Sequence, residues 1–454
     1  MQNRQSRFFG SILFALLLIP HSAMAVGPPE TKELTFGFIK LTDMAPLAIA
    51  YENGYFEDEG LDVYLEAQRT WAQVVEAVAG RVIDGAHMLA GQPLAMRAGL
   101  GPVQGHIVTP ISMDLNGNAI TVSNEIWEAV SSNIERNDDG LPVHPIKANV
   151  LKPVVDAFRG RDEYLKLGMV SPTSTHNYEL RYWLAAGGIH PGFYDASKGD
   201  AGSRSGWNDS DVHLVVTPPP EMPRLLERGI IGGYCVGEPW NQQAVFTGVG
   251  VPVITDSDIW RNNPEKVFGL SAEFVSENPN TTVRILRALL RAAKWLDEGN
   301  NTNRLETVEI LSRPEYVGAP PEVISNSMTG YFEYERGDKR PAPDFNLFFR
   351  EFATYPYYSD AVWYLTQMRR WGQIAESKPD EWYFKIAREV YRPDLYAMAA
   401  NELIEEGSMS RSEFPDLGEE SGFRQPHADF IDGVEYDGNQ PNAYLRKFSI
   451  GIKD

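Results

Sequence analysis

The chain of 454 residues has one cysteine, Cys235, so it cannot form an internal disulfide and packing must stabilise its fold. Its eight histidines do not show metal-binding spacing. A nucleophile elbow, a phosphate-binding loop and a dinucleotide-binding glycine motif are also absent. The sequence therefore predicts no catalytic residue, no metal ligand and no cofactor.

Long apolar runs are also lacking, since no segment approaches the roughly 20 apolar residues that span a bilayer. The N-terminus instead carries Arg4 and Arg7, a short apolar run at 12–19 and the small residues Ala23 and Ala25 around Met24. This pattern is typical of a secretory signal peptide at residues 1–25. We expect an exported, periplasmic protein. Because Cys235 lies deep in the chain, we expect no lipid anchor.

Positive charge is scarce: the formal net charge is −21, and it becomes −23 when Arg4 and Arg7 leave with the signal peptide. Such an acidic chain is an improbable partner for nucleic acid. A site for a small anion would have to depend on local donors, because the surface as a whole repels anions.

What the sequence does contain is an alternation of strands and helices from Leu34 onward, with helices predicted at 45–52, 71–79 and 92–98. Alternating units of this kind indicate an α/β fold with mixed or parallel sheets. The length suggests two lobes. In such folds ligands gather where strands end and helices begin. A Gly-, Ser- and Asp-rich segment at 192–211 reads as an insertion, and 278–296 as an amphipathic helix.

The clearest helix start lies in 170–191, where Ser174 and Thr175 are good N-caps and Gly187 with Gly188 predicts the end. The helix should begin at about His176. A helix start offers free backbone N–H groups, so a histidine there can help to hold a small anion. The alternative is that His176 only finishes a polar loop.

Several segments together resemble one known family, the nitrate-binding proteins of ABC uptake systems. They are, in chain order, GFIKLTDMAPLAIAYENGYFEDEGLDV, the helix that opens at Trp71, DGAHMLAGQPLA, LNGNAIT, STHNYELRYWLAAGGI, VGEPWN and NPEKVFG. The resemblance covers nearly all of the chain after the signal peptide. Bicarbonate-binding proteins belong to the same group, and sulfonate- and taurine-binding proteins are more distant relatives.

The resemblance implies a type II periplasmic-binding-protein fold, with mixed sheets flanked by helices and the ligand in the cleft between two lobes. We expect lobe 1 at 26–125, lobe 2 at 126–251, and a return to lobe 1 with a helical C-terminal region at 252–454. It also implies a ligand site built from one aromatic, one amide, one histidine, one backbone glycine and one lysine: Trp71, Asn116, His176, Gly237 and Lys266.

The expected ligand is nitrate or nitrite, and the expected partner is a membrane ABC permease, with the protein itself a monomer. Nitrate is flat and singly charged, so N–H donors in its plane and an indole wall suit it. Three alternatives stay open. Trp71 could be plain core, Gly237 a turn and Lys266 a solvated side chain. Glu265 could support bicarbonate binding with calcium, as in the bicarbonate binders. The same cleft could also serve an exported anion sensor.

Overall fold

The computed structural model describes residues 26–101, 103–195, 206–416 and 422–451. The predicted signal peptide and the middle of the predicted insertion lie outside these ranges. Within them, no helix is both long enough and apolar enough to cross a lipid bilayer.

The first of two five-stranded sheets is built mainly from the first quarter of the chain. In spatial order its strands, numbered along the chain, are β2 (Asp62–Ala67), β1 (Glu33–Phe38), β3 (Gly85–Leu89), β11 (Lys266–Ser271) and β4 (Ile107–Ser112). β1 pairs in parallel with β2 and β3, whereas β11 runs antiparallel to β3 and β4. Every residue of β3, β4 and β11 is buried, as expected for central strands covered on both faces.

The second sheet is formed by the middle of the chain and is also mixed. Its strands in spatial order are β10 (Gly250–Thr255), β6 (Asn118–Ser123), β9 (Gly233–Gly237), β7 (Leu165–Met169) and β8 (Val212–Val216). β7 is parallel to β8 and β9, and β6 is antiparallel to β9 and β10. Two short ribbons complete the strands: β5 (Leu115–Asn116) with β14 (Asn346–Leu347), and β12 (Tyr331–Glu335) with β13 (Asp338–Pro341).

The chain crosses from the first sheet to the second at 113–117 and returns at 256–265. β6 therefore belongs to the second sheet, although the expected boundary at 125 would place it in lobe 1. Between β4 and β6 the sequence has only a short turn at 114–117, which does not distinguish a hairpin bend from a crossing between lobes. Asn116 (φ 61°) and Gly117 (φ 99°) both adopt left-handed conformations there, which redirects the chain.

Helices cover both sheets. Those in the first half of the chain are α1 (Ala45–Glu52), α2 (Tyr55–Asp58), α3 (Trp71–Ala79), α4 (Gly91–Arg97), α5 (Asn124–Val130), α6 (Lys152–Arg159), α7 (Thr175–Ala186), α8 (Met222–Glu227) and α9 (Trp240–Thr247). Those in the second half are α10 (Asp256–Ile259), α11 (Ala272–Glu277), α12 (Pro279–Asp297), α13 (Arg304–Leu311), α14 (Pro321–Met328), α15 (Tyr358–Arg370), α16 (Asp380–Val390), α17 (Pro393–Glu405) and α18 (Pro441–Leu445). The predicted helices at 45–52, 71–79, 92–98 and 278–296 match α1, α3, α4 and α12 to within one residue at each end.

The C-terminal helical region contacts both lobes. α15 and α16 pack on α4 of the first lobe. The same region reaches α7 of the second lobe, where the hydroxyl of Tyr178 donates to Gln373 Oε1 at 2.7 Å and that of Tyr182 to Asp432 Oδ1 at 2.8 Å. This region therefore connects the two lobes.

Candidate functional site

Strand ends from both sheets meet at a buried polar cluster. β11 begins there at Lys266, which pairs with the last residue of β3, and β9 ends there at Gly237. α7 begins there as well: Ser174 caps it by accepting from the N–H of Asn177 at 3.1 Å, which confirms the predicted helix start to within one residue. Strand ends and a helix start thus converge, as expected for a ligand site in an α/β protein.

Lys266 lies at the centre of the cluster and is fully buried. Its ammonium nitrogen is 2.7 Å from Asp43 Oδ2 and also contacts Glu265 Oε1. Burial alone would lower the pKa of Lys266, but the neighbouring carboxylates more than offset that effect and raise the pKa above its usual range. Lys266 is therefore charged, and both of its close partners are carboxylates.

Asp43 and His87 hold one side of the lysine. Asp43 lies in a short 3-10 helix (Thr42–Met44), and its Oδ1 is 2.8 Å from His87 Nε2. Because the N–H of Ile39 donates to His87 Nδ1 at 3.4 Å, the proton of a neutral His87 is on Nε2, facing Asp43. Burial opposes ionisation of Asp43, but Lys266 and His87 hold the pKa of its carboxyl below the usual range.

His176 and Glu265 lie on the other side. His176 Nε2 is 3.2 Å from Glu265 Oε1, and within the described ranges neither ring nitrogen has hydrogen-bond geometry to any partner. Burial lowers the pKa of His176 to about 4, against the opposing attraction of Glu265. The imidazole is therefore neutral at neutral pH in this closed state. Glu265 Oε2 is also buried, with no hydrogen-bond partner in the described part of the chain.

Trp71 and Gly237 complete the surroundings. Trp71 is the first residue of α3, capped by Thr70, and its ring centroid lies 5.8 Å from the ammonium of Lys266. Its indole Nε1–H is buried and has no acceptor among the described residues. A Cβ placed on Gly237 would lie 3.3 Å from Asp43 Oδ2, so the backbone itself approaches the cluster. The structure thus brings together four of the five predicted site residues: Trp71, His176, Gly237 and Lys266.

Asn116 is the fifth predicted residue, and the structure does not place its side chain in the cluster. Its Oδ1 accepts from the backbone N–H and the amide of Asn263, at 3.2 and 3.1 Å, and its Nδ2 donates to the carbonyl of Asp344 at 2.9 Å. The left-handed conformation of Asn116 breaks the strand alternation that would otherwise put Asn116 and Asn118 on one face.

Asn118 is the amide that the cluster contains. Its Nδ2 donates to Glu179 Oε2 at 3.3 Å, and its Oδ1 is buried without a partner in the described ranges. That oxygen lies 3.3 Å from where a Cβ of Gly237 would be. Both asparagines belong to the same LNGNAIT segment, and the side chain that lies at the cluster is two residues after the predicted one.

Three further carboxyl groups surround the cluster and were missed from the sequence: Asp114, Glu179 and Asp256. All are buried, and burial together with neighbouring carboxylates raises their pKa values well above the usual range. Each of them also takes part in hydrogen bonds, for example Asp114 Oδ1, which accepts from the N–H of Lys266 at 2.8 Å. Among the described residues, no group of three or more His, Cys, Asp or Glu side chains is arranged to hold a metal ion.

The lobes are closed over this cluster. The N–H of Thr42 donates to the carbonyl of Glu238 at 2.8 Å, and Trp240 Nε1 donates to the carbonyl of Lys40 at 3.3 Å. A pocket of about 560 Å³ is lined by Trp71 and by other residues of both lobes. A ligand would therefore reach Lys266 when the lobes separate, with Trp71 as one wall of the entrance.

Comparison with known proteins agrees with this architecture. The model of the NMT1-like family matches residues 27–312. The chain is 36% identical over 435 residues to the nitrate import ATP-binding protein NrtC of Synechocystis sp., covering 94% of this chain and 57% of that protein. It thus spans little more than half of NrtC. It is 32% identical over 429 residues to the nitrate/nitrite binding protein NrtA of Nostoc sp., covering 93% and 86% of the two chains.

A solved structure matches over almost the whole chain. The crystal structure of the periplasmic nitrate-binding protein NrtA from Synechocystis PCC 6803 superposes with a TM-score of 0.79 at 28% identity, covering 94% of this chain and all of that one. The two-lobed type II binding-protein fold expected from the sequence is thereby confirmed. The chain belongs to the NMT1-like family, among relatives that include the nitrate/nitrite binding proteins NrtA.

Proposed function

We propose that this protein is a periplasmic solute-binding protein that captures nitrate or nitrite and delivers it to a membrane ABC permease. One observation carries the proposal. A charged, fully buried lysine lies where both lobes meet, beside an indole N–H and an imidazole that lack hydrogen-bond partners in the described ranges. Buried polar groups are nearly always paired, so unpaired donors around a cation suit an anionic ligand.

We assign the ligand contacts to five groups, with Asn118 replacing Asn116. They are the Lys266 ammonium, the Trp71 indole, the His176 imidazole, the Asn118 amide and the backbone at Gly237. N–H groups from Trp71, His176 and Asn118 could point at nitrate oxygens, and the lysine would supply the opposite charge. Since the cluster excludes water when the lobes close, each of these contacts is worth more than it would be at a surface.

Calorimetric titration of the purified protein with nitrate, nitrite, bicarbonate with and without calcium, and a small sulfonate tests this assignment. We expect saturable binding of nitrate or nitrite with one site per chain, unaffected by a calcium chelator. Bicarbonate is the second candidate, because Glu265 places a carboxylate beside Lys266. Tight bicarbonate binding that a chelator abolishes, together with no nitrate signal, would replace nitrate with bicarbonate.

A further inference from the structure

We propose that Glu265 is an internal competitor for the anion: its carboxylate pairs with Lys266, and its charge opposes the binding of nitrate at that place until it is neutralised. This inference rests on the proposed anion-binding function and names a residue that sets affinity and selectivity at the same site.

The competition follows from the contacts of Lys266. Its ammonium group contacts two carboxylates, Asp43 at 2.7 Å and Glu265. Asp43 and Glu265 therefore already balance the one fixed positive charge with two negative ones. An anion that contacts Lys266 would be a third negative charge in a site without water, and like charges placed together there are strongly unfavourable.

Glu265, not Asp43, is the carboxylate that can give way. His87 Nε2 lies 2.8 Å from Asp43 Oδ1, closer than the 3.2 Å from His176 Nε2 to Glu265 Oε1, and the N–H of Ile39 holds the other ring nitrogen of His87. Glu265 has one buried oxygen without a partner, and its neighbour His176 has no hydrogen bond at either ring nitrogen within the described ranges. Adding a proton to Glu265 or His176 therefore breaks no existing hydrogen bond of the histidine. It turns an unpaired carboxyl oxygen or an unpaired ring nitrogen into a hydrogen-bond donor.

The groups that face Glu265 come from several elements and leave few alternatives for that proton. They are Lys266, which follows it in the chain, Asp43, which shares Lys266 with it, Thr175, His176 and Glu179 on α7, Asp114 in the crossing segment, Cys235 on β9, Asp256 on α10 and Tyr364 on α15. Only Lys266 and His176 among them can be cationic. Anion binding should therefore be accompanied by proton uptake at Glu265 and His176.

Selectivity follows from the unpaired oxygen of Glu265. The O–H of bicarbonate can donate to the unpaired oxygen of an ionised Glu265, which partly offsets the repulsion between the two charges, but nitrate has no hydrogen to donate. Replacing the carboxylate by an amide removes the charge and adds a donor. Glu265→Gln should therefore favour nitrate and disfavour bicarbonate.

The test is calorimetry with sodium nitrate and sodium bicarbonate on the wild type, on Glu265→Gln and on Glu128→Gln, a matched control at an exposed position of α5. We expect Glu265→Gln to bind nitrate at least about tenfold more tightly at neutral pH, because one like charge beside the anion is gone. The ratio of nitrate to bicarbonate affinity should rise, and Glu128→Gln should behave as the wild type does.

Equal or weaker nitrate binding by a folded Glu265→Gln would overturn the inference while leaving the proposed function in place. Absence of anion binding by both wild type and variant would overturn the proposed function and this inference with it. If Glu265→Gln does not fold, the wild type still provides a test. Titrations in buffers of different ionisation enthalpy should show net proton uptake on nitrate binding, and the absence of uptake would refute the competition.

Discussion

Two buried cations in this protein, Lys266 and Arg304, have opposite surroundings. Arg304 donates to Asp297 Oδ1 at 2.6 Å and to the carbonyls of Leu296 and Asn346 at 2.8 and 3.0 Å. The other oxygen of Asp297 accepts from the backbone N–H groups of residues 348, 349 and 350. Around Lys266, by contrast, polar atoms of Trp71, His176, Asn118, Glu179 and Glu265 have no hydrogen-bond partner in the described ranges.

The difference separates a structural ion pair from a binding site. A network with every member satisfied stabilises one conformation, whereas buried groups left unpaired lower stability unless something else completes them. We infer that the Arg304 network serves the fold and that the Lys266 cluster is completed by a ligand. Substitutions around Arg304 should therefore change mainly the stability of the fold, and substitutions around Lys266 should change mainly the affinity for the ligand.

The largest expected effect is on stability, at the Arg304 network. Asp297→Ala should lower the free energy of unfolding by about 3–5 kcal/mol, because it leaves a buried guanidinium and three backbone N–H groups without their acceptor. Nitrate affinity of the folded fraction should not change. Urea denaturation measures the stability and calorimetry measures the affinity. If Asp297→Ala lost nitrate affinity at unchanged stability, the Arg304 network could not be purely structural.

At the other cation the main effect should be on binding. Lys266→Glu should weaken nitrate binding by about 2–5 kcal/mol or more, roughly 30- to several-thousand-fold, because it puts an anion beside an anion. Lys266→Gln removes the charge without adding a third carboxylate and should also bind poorly. Lys385→Glu, at an exposed position of α16, is the matched control. Wild-type nitrate affinity in Lys266→Glu would show that another residue carries the charge.

The two asparagines allow the same comparison within one segment. Asn118→Ala should weaken nitrate binding by about 1.5–3 kcal/mol, the usual value of a hydrogen bond to a charged group. Asn116→Ala should instead lower stability, since it removes the bonds to Asn263 and Asp344 and puts alanine in a left-handed conformation. Calorimetry measures the nitrate affinity of both variants, and thermal melts measure their stability. Weaker nitrate binding in Asn116→Ala but not in Asn118→Ala would assign the ligand contact to Asn116.

The smallest effect is expected at His176. His176→Ala should cost about 0.5–1.5 kcal/mol of nitrate affinity at neutral pH, because the neutral imidazole contributes one hydrogen bond. Burial lowers the pKa of His176 to about 4. A bound anion stabilises the imidazolium and raises that pKa, so wild-type affinity should rise as pH falls from neutral. The rise should be shallower in His176→Ala, and identical slopes would exclude His176 as a proton acceptor.

Local signals predicted much of the fold and part of the site. The cap at Ser174, the helix start at Trp71 and the apolar face of α12 each depend on residues close together in the chain, so the sequence was sufficient for them. Resemblance then supplied the roles of Lys266 and Gly237 as a proposal that the geometry accommodates.

The remaining site residues depend on contacts between distant parts of the chain. Asp43 and Glu265 both reach Lys266 only because β11 returns to the first sheet beside β3. The sequence around His87 and Glu179 does not indicate which distant residues these side chains contact. The sequence prediction named Asn116, and the left-handed turn at 116–117 that leaves Asn118 facing the cluster is set by the crossing between lobes. Burial and sheet topology, which no short motif encodes, decided these positions.

The most direct test of the account is the indole N–H resonance of Trp71 in an NMR titration with sodium nitrate, assigned with Trp71→Phe. The indole of Trp371 is the internal reference, because its Nε1 is also buried without a partner in the described ranges but belongs to the C-terminal region. We predict a saturable shift of the Trp71 resonance at one nitrate per chain, with Trp371 unchanged. Saturable nitrate binding that leaves Trp71 unmoved would contradict a site at Lys266.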